Sequence, residues 1–415
     1  MLAKVKIAWH KVCSYRVQVS CGFVVCCISL LNGGCKQRGF NEHQAGFHEF
    51  AYVANTEGNT VTVLDLVYLR TDRTLRVGTA PVALAVNPTR EEVYVVNMQP
   101  DQASGSVSVI ETSRNEVVAT IPVHRGPSAI TVDPQGRRAF VVNTGSNTVS
   151  VLDLRGRRQL GSLPTGDKPG GVVISPDGRS LVITNRLSGS VSIFSTSDAD
   201  SPLFPLTLRA TLAGCPGATA PVILPDSSKA FVACSERDQV VAIGLAAAPN
   251  DGASRQGLSL SPDRVLAFLD VGRRPMNLTL KPDGGEIFVS NQSSNSVSEI
   301  ATQTNEVGST YPIGNRPAHG IVGLDNSALW ISNSGADSLS LYSIDDGKLL
   351  SSLRTGSAPD ALAFSVDERF LLAADRGSGD VAVIRTASKL GPALLTILPA
   401  GGSPAAIVVK AMQRK

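Results

Sequence analysis

One four-residue pattern is written eight times along this chain, and it constrains the fold more than any other feature. Tyr52-Val53-Ala54-Asn55 returns as Tyr94-Val95-Val96-Asn97, Phe140-Val141-Val142-Asn143 and Val182-Ile183-Thr184-Asn185. It continues as Phe231-Val232-Ala233-Cys234, Phe288-Val289-Ser290-Asn291, Trp330-Ile331-Ser332-Asn333 and Leu372-Ala373-Ala374-Asp375. Counted on the last residue, the anchor, the copies lie 42, 46, 42, 49, 57, 42 and 42 residues apart. A unit of that length, repeated this often, belongs to arrays and closed rings rather than to separate domains.

Other positions keep step with the anchor. Six residues after it an alternating run opens, as in Val61-Thr62-Val63-Leu64-Asp65 and Val149-Ser150-Val151-Leu152-Asp153; in the second copy an insertion delays it to Val107. Nine residues before it stands Pro88, Pro134, Pro176, Pro225 or Pro282, twice within Pro-Asp-Gly. Nineteen and sixteen before it are Gly and Pro: Gly78/Pro81, Gly166/Pro169, Gly272/Pro275, Gly314/Pro317 and Gly356/Pro359. Short runs of Val, Ile, Thr and Phe with period 2 read as strands, and Pro-Asp-Gly as the tight turn between the first two. Each unit then holds four strands, A after Gly-x-x-Pro, B ending in the anchor, C in the Val-Ser-Val run and D leading to the next Gly. The Gly is expected to serve a positive φ, and the anchor Asn to hydrogen-bond its own turn.

The fold class is therefore all-β, a single β-propeller of eight four-stranded blades, or seven if the divergent fifth unit is displaced. The first unit lacks strand A, and Gly401-Gly402-Ser403-Pro404 followed by Ala405–Val409 supplies an A strand with no B after it. The C-terminal strand is expected to complete the first blade and close the ring. The propeller is placed at residues 50–410, with 411–415 as a tail.

Tyr-Val-x-Asn, Asn-Thr-Val-Ser-Val-Leu-Asp and Pro-Asp-Gly at this period resemble the YVTN-type β-propeller repeat family over about residues 50–409. The resemblance implies an exported bacterial or archaeal propeller, often a surface or periplasmic protein. It implies no single chemistry, because related propellers include binding proteins, lactone hydrolases and accessory domains of redox enzymes.

Residues 1–35 read as an export signal. Lys4, Lys6, Lys11 and Arg16 precede an uncharged stretch whose apolar centre is Phe23–Leu31, too short for a comfortable permanent span. Leu31-Asn32-Gly33-Gly34-Cys35 resembles a bacterial lipoprotein box, with Asn32 standing where that pattern wants Leu. Cys35 is the expected lipidation site, an ordinary cleaved signal the alternative, and residues 36–49 a polar tether. Without the leader the chain carries 34 basic and 35 acidic residues, which argues against a general nucleic-acid binder.

Five of the seven cysteines fall in the leader. The other two, Cys215 and Cys234, sit at the Gly and anchor positions of one unit, at the open end of its A–B hairpin. In an oxidising compartment that placement favours a disulfide. No spaced Cys or His set for a metal is present, and no cofactor is expected.

Function is sought where one copy departs from the rest. Fourteen before the anchor, on strand A, stand Ala83, Ala129, Gly171, Ala220, Asn277, His319, Ala361 and, from the C-terminal strand, Ala406. Asn277 and His319 break a run of small residues that crowding near the axis demands. One place earlier, Asp360 breaks another. Arg274 and Arg316 lie in the neighbouring D–A turns, which share a face with the B–C turns, so Arg274, Asn277, Arg316, His319 and Asp360 can converge on the channel mouth. Guanidinium groups there favour a carboxylate or phosphate; the alternative is solvated arginines and side chains that only bond neighbouring turns.

There is no Gly-x-Ser-x-Gly elbow, phosphate loop or His-x-x-His pair. The leading expectation is a non-catalytic, monomeric cell-envelope propeller that binds a small anionic ligand or a partner protein, anchored to the membrane if Cys35 is modified. The alternatives are a propeller lactonase using His319 and Asp360, or an accessory protein to a periplasmic redox enzyme.

Overall fold

Each repeat forms its strands locally. The computed structural model describes residues 46–196, 206–246, 262–387 and 391–413. These residues form 32 strands in eight four-stranded antiparallel sheets, arranged as a β-propeller of eight blades. The first blade joins Phe47–Asn55, Thr60–Asp65 and Arg70–Arg76 to the C-terminal strand Pro404–Gln413. Seven further blades follow in chain order, beginning at Pro81, Pro127, Pro169, Ala218, Pro275, Pro317 and Pro359. The closing pair is longer than the repeat pattern suggests. Phe47, His48 and Glu49 pair with Gln413, Met412 and Ala411, so strand reaches into both the expected tether and the expected tail.

Burial follows from stacking blade on blade. A sheet covered on both faces hides every side chain of its middle strands, so B strands such as Glu92–Asn97 and Phe370–Asp375 are buried throughout. The large residue three before the anchor, Tyr52, Tyr94, Phe140, Phe231 or Phe288, is fully buried. D strands lie on the rim, and Arg70–Arg76 is largely exposed. Apolar clusters span neighbouring blades, as where Phe231 and Ala233 meet Ile287 and Val289.

The anchor Asn fastens strand B to strand C. Nδ2 of Asn55 donates to Thr60 and Thr62 Oγ1, that of Asn143 to Thr148 Oγ1 and Ser150 Oγ, and that of Asn291 to Ser296 and Ser298 Oγ. The role expected for the recurring Gly is corrected. Positive φ falls two residues later, at Ala80, Lys168, Arg274, Arg316 and Ala358. Gly78, Gly272 and Gly314 are required instead by close approach, because a Cβ on each would sit 2.7, 2.6 and 2.3 Å from an atom of Asn97, Asn291 and Asn333. In the fifth blade the same two places hold Cys215 and Cys234, whose Cα atoms are 4.7 Å apart and whose sulfurs are bonded. A pair of positions already this close can accept a disulfide with no backbone change.

Candidate functional site at the channel mouth

Every strand A pairs with its strand B through a one-residue bulge near its start, directly after the leading Pro in seven blades and after Thr219 in the fifth. A bulge sets two residues against one and re-aims their side chains. In the seventh blade Ala318 and His319 lie between the pairs Pro317↔Asn333 and Gly320↔Ile331, opposite Ser332. In the eighth, Asp360 and Ala361 occupy the same place opposite Ala374. The departures seen at these two positions of the repeat thus fall on bulged residues of adjacent blades.

The structure brings two of the expected residues into contact. His319 Nδ1 lies 2.7 Å from Asp360 Oδ1, with side-chain exposures of 47% and 22%. Arg376 stands behind the pair, Nη1 3.8 Å from Asp360 Oδ2, its Nε donating to Ser403 Oγ at 3.2 Å. Burial by itself would raise the Asp360 carboxyl; the hydrogen bond from His319 and the charges of His319 and Arg376 outweigh it and hold Asp360 below the ordinary aspartate value. Asp360 is therefore ionised near neutrality and can only accept. Nδ1 of His319 thus carries the proton of this hydrogen bond, and whenever the ring is neutral Nε2 holds the lone pair, on the side away from Asp360.

The remaining expected residues are placed but not joined to the pair. Arg274 and Arg316 occupy the positive-φ position of successive D–A turns, their backbone N–H groups donating to Asp238 and Asn295 Oδ1. Both are exposed on the face that holds Arg376. Asn277 Oδ1 accepts a long bond of 3.4 Å from Thr279 Oγ1, and no hydrogen bond among the described residues links it to His319. Arg376 and Ser332 escaped the sequence reading. Arg376 follows an anchor in a B–C turn, whose residues the strand comparison leaves aside. Ser332 is one small residue within a run that reads as apolar strand. Among the described residues no group of three His, Cys, Asp or Glu side chains suited to a metal gathers. Cys35 lies outside the described residues.

A carboxylate hydrogen-bonded to a half-exposed imidazole has the chemistry needed for a general base, and the Arg376 guanidinium adds positive charge beside it. The sequence matches the family described as lactonase, 7-bladed beta-propeller, over residues 117–241 and 302–408, which is more than half the chain. The chain belongs to that lactonase family. Its ring has eight blades where the family description has seven. The second matched stretch contains Arg316, His319, Asp360 and Arg376; Arg274 and Asn277 lie outside both. No curated protein sequence matches this lactonase-family propeller.

Solved structures share the fold at low identity. A protein of Bacteroides uniformis described only as a candidate 6-phosphogluconolactonase is 15% identical with a TM-score of 0.60, the match covering 88% of this chain and all of that one. Dihydro-heme d1 dehydrogenase NirN gives 16% and 0.69, over 86% of this chain and 74% of its own. Hydrazine synthase of Kuenenia stuttgartiensis gives 21% and 0.51, over 81% and 92%.

Proposed function

We propose that this lactonase-family propeller hydrolyses a small anionic lactone at the mouth formed by its D–A and B–C turns. The observation that carries the reading is the His319–Asp360 contact at 2.7 Å between adjacent blades. Nε2 of His319 takes a proton from water as the water oxygen bonds to the lactone carbonyl carbon. Collapse of the tetrahedral intermediate breaks the ring C–O bond, and His319 returns the proton to the departing ring oxygen. Water is the only co-reactant, and the product is a hydroxy acid. Asp360 holds the tautomer and stabilises the imidazolium that forms in transit. Arg316, Arg274 and Arg376 supply positive charge for a carboxylate or phosphate on the substrate.

A second reading, capture of an anion or partner protein without turnover, is supported by Arg274 and Arg316, whose exposed guanidinium groups form no ion pair among the described residues. The test compares hydrolysis of glucono-δ-lactone and its 6-phosphate by the parent protein and by His319→Ala, corrected for spontaneous ring opening. A loss of about 10²-fold or more in kcat/KM supports the hydrolase. Equal rates, with the aldonate still bound by both proteins in calorimetry, transfer the site to the binding reading.

A further inference from the structure

The backbone that carries His319 and Asp360 is held by one buried hydroxyl. Ser332 is completely buried, and its Oγ accepts from the His319 N–H at 3.0 Å. The same hydroxyl donates to the Asp360 carbonyl at 2.7 Å, with the His319 carbonyl also in reach at 3.1 Å. The bulge explains why a side chain is needed. Two residues of strand A oppose one of strand B there, so the displaced N–H of His319 turns to the side chain of the residue it faces.

In five of the other seven blades the place is filled by a residue with no hydroxyl. Ala54, Val96, Val142, Ala233 and Ala374 stand one before the anchor in five blades. Thr184 shows half of the device: its Oγ1 accepts from Gly171 N at 2.9 Å within its own blade. Ser290 has the hydroxyl and, though fully buried, finds no partner among the described residues. Ser332 alone of the three reaches both its own strand A and that of the next blade. Those are the two segments whose side chains meet as the His319–Asp360 pair.

We propose that Ser332 is a positioning residue of the candidate site, a clamp that fixes the bulges of the seventh and eighth blades in register so that His319 Nδ1 stays on Asp360. Completely buried and bonded only to backbone groups, it acts through the backbone. The inference deepens the hydrolase reading and its kinetic arm rests on that reading; its spectroscopic arm does not.

The experiment uses the full chain and three variants, Ser332→Ala, Ser332→Thr and Ser290→Ala. The tautomer and titration of His319 are followed by nitrogen-15 NMR of the imidazoles, with His319→Gln identifying the signal. Glucono-δ-lactone hydrolysis is measured in parallel. Ser332→Ala should lower the Nδ1–H fraction of the neutral ring, and kcat should fall about tenfold for one lost hydrogen bond while KM changes less than about twofold. Ser332→Thr should restore both, and Ser290→Ala should match the parent. Should Ser332→Ala fail to fold, Ser332→Cys, with a weaker donor of similar size, must show an intermediate tautomer shift. An unchanged His319 tautomer and titration in a folded Ser332→Ala or Ser332→Cys overturns the clamp. A parent protein without lactone hydrolysis overturns the hydrolase reading and leaves the tautomer measurement to decide Ser332.

Discussion

Asp375 and Asp380 close the B–C turn of the eighth blade as Cα partners, setting carboxyl toward carboxyl where six other blades set Asn toward Ser or Thr. Asp375 is completely buried. Its Oδ2 accepts from Gly356 N at 3.0 Å, the bond that Asn185 Oδ1 makes with Gly166 N at 3.1 Å. Burial, opposed by hydrogen bonds from Gly356 and Thr355 and reinforced by Asp380, pushes the Asp375 carboxyl up to about 7. Protonated, Asp375 can match the anchor Asn: Oδ2 accepts from Gly356 N, and Oδ1, buried with no hydrogen-bond partner among the described residues, can carry the proton.

Stability should therefore depend on pH at this one turn. The folded carboxyl holds its proton above the pH at which an unfolded Asp loses it, so the contribution is complete below about pH 4 and is lost as the pH rises through about 7. Asp375→Asn keeps the acceptor for Gly356 N and puts a donor at the other position without needing a proton. Urea midpoints of parent and variant should coincide near pH 4, and the variant should gain roughly 1–3 kcal/mol at pH 8. A variant no more stable than the parent at pH 8 would refute the shared-proton account.

That turn also shows what the sequence could and could not convey. Eight units and the closing strand were legible because each blade forms its hairpins from neighbouring residues, and Gly401–Val409 was a strand A with no partner of its own. His319 and Asp360 were legible as departures from small residues on strand A. The bulge that turns them toward each other was not, because register between strands leaves no mark on either strand alone. The recurring Gly misled for a similar reason: its lack of a Cβ answers the anchor side chain packed on it, a contact across the hairpin, while the left-handed φ sits on Arg274, Arg316 and their counterparts.

The hydrogen bond from His319 should be what keeps Asp360 ionised. In His319→Ala the Asp360 carboxyl loses that bond and keeps its burial, so its titration, read by carbon-13 NMR, should move up from its position in the parent. Arg376→Ala should move it in the same direction and by less, the guanidinium lying 3.8 Å away. Asp360→Asn should cut lactone hydrolysis by about 10²–10⁴-fold, because an amide can settle the wrong tautomer of His319. A carboxyl that stays where it was in His319→Ala would show that the pair is not coupled.

The fifth blade should tolerate exchange of its cystine only for the pair that the other blades use. Cys215 and Cys234 bond across a loop of 19 residues, a constraint worth ~3 kcal/mol by loop entropy. Cys215→Ser/Cys234→Ser should lose about that much. Cys215→Gly/Cys234→Asn should recover part of it, since the Gly leaves room for the anchor amide and Gln239 and Val241 replace the hydroxyls it would meet elsewhere. Peptide mapping of unreduced protein provides the direct check. Finding Cys215 and Cys234 in separate, alkylated peptides would dispose of the bridge.

Cys35 is proposed as the lipid-modified residue of an exported chain. Four basic residues, an apolar run ending at Leu31 and the small pair Gly33-Gly34 lead up to it, in the order that a lipoprotein signal requires. The apolar run is short for a permanent span, so attachment would rest on the lipid itself. About ten residues then separate Cys35 from Phe47, where the first strand begins. Extended, that length reaches roughly 35–40 Å, enough to hold a propeller clear of a bilayer. Cells expressing the parent chain should incorporate labelled palmitate into it, and Cys35→Ala should abolish both the label and co-sedimentation with membranes while leaving strand content unchanged by circular dichroism. Asn32→Leu, which restores the preferred residue, should raise the modified fraction. Equal labelling of the parent and Cys35→Ala would move the anchor elsewhere or remove it.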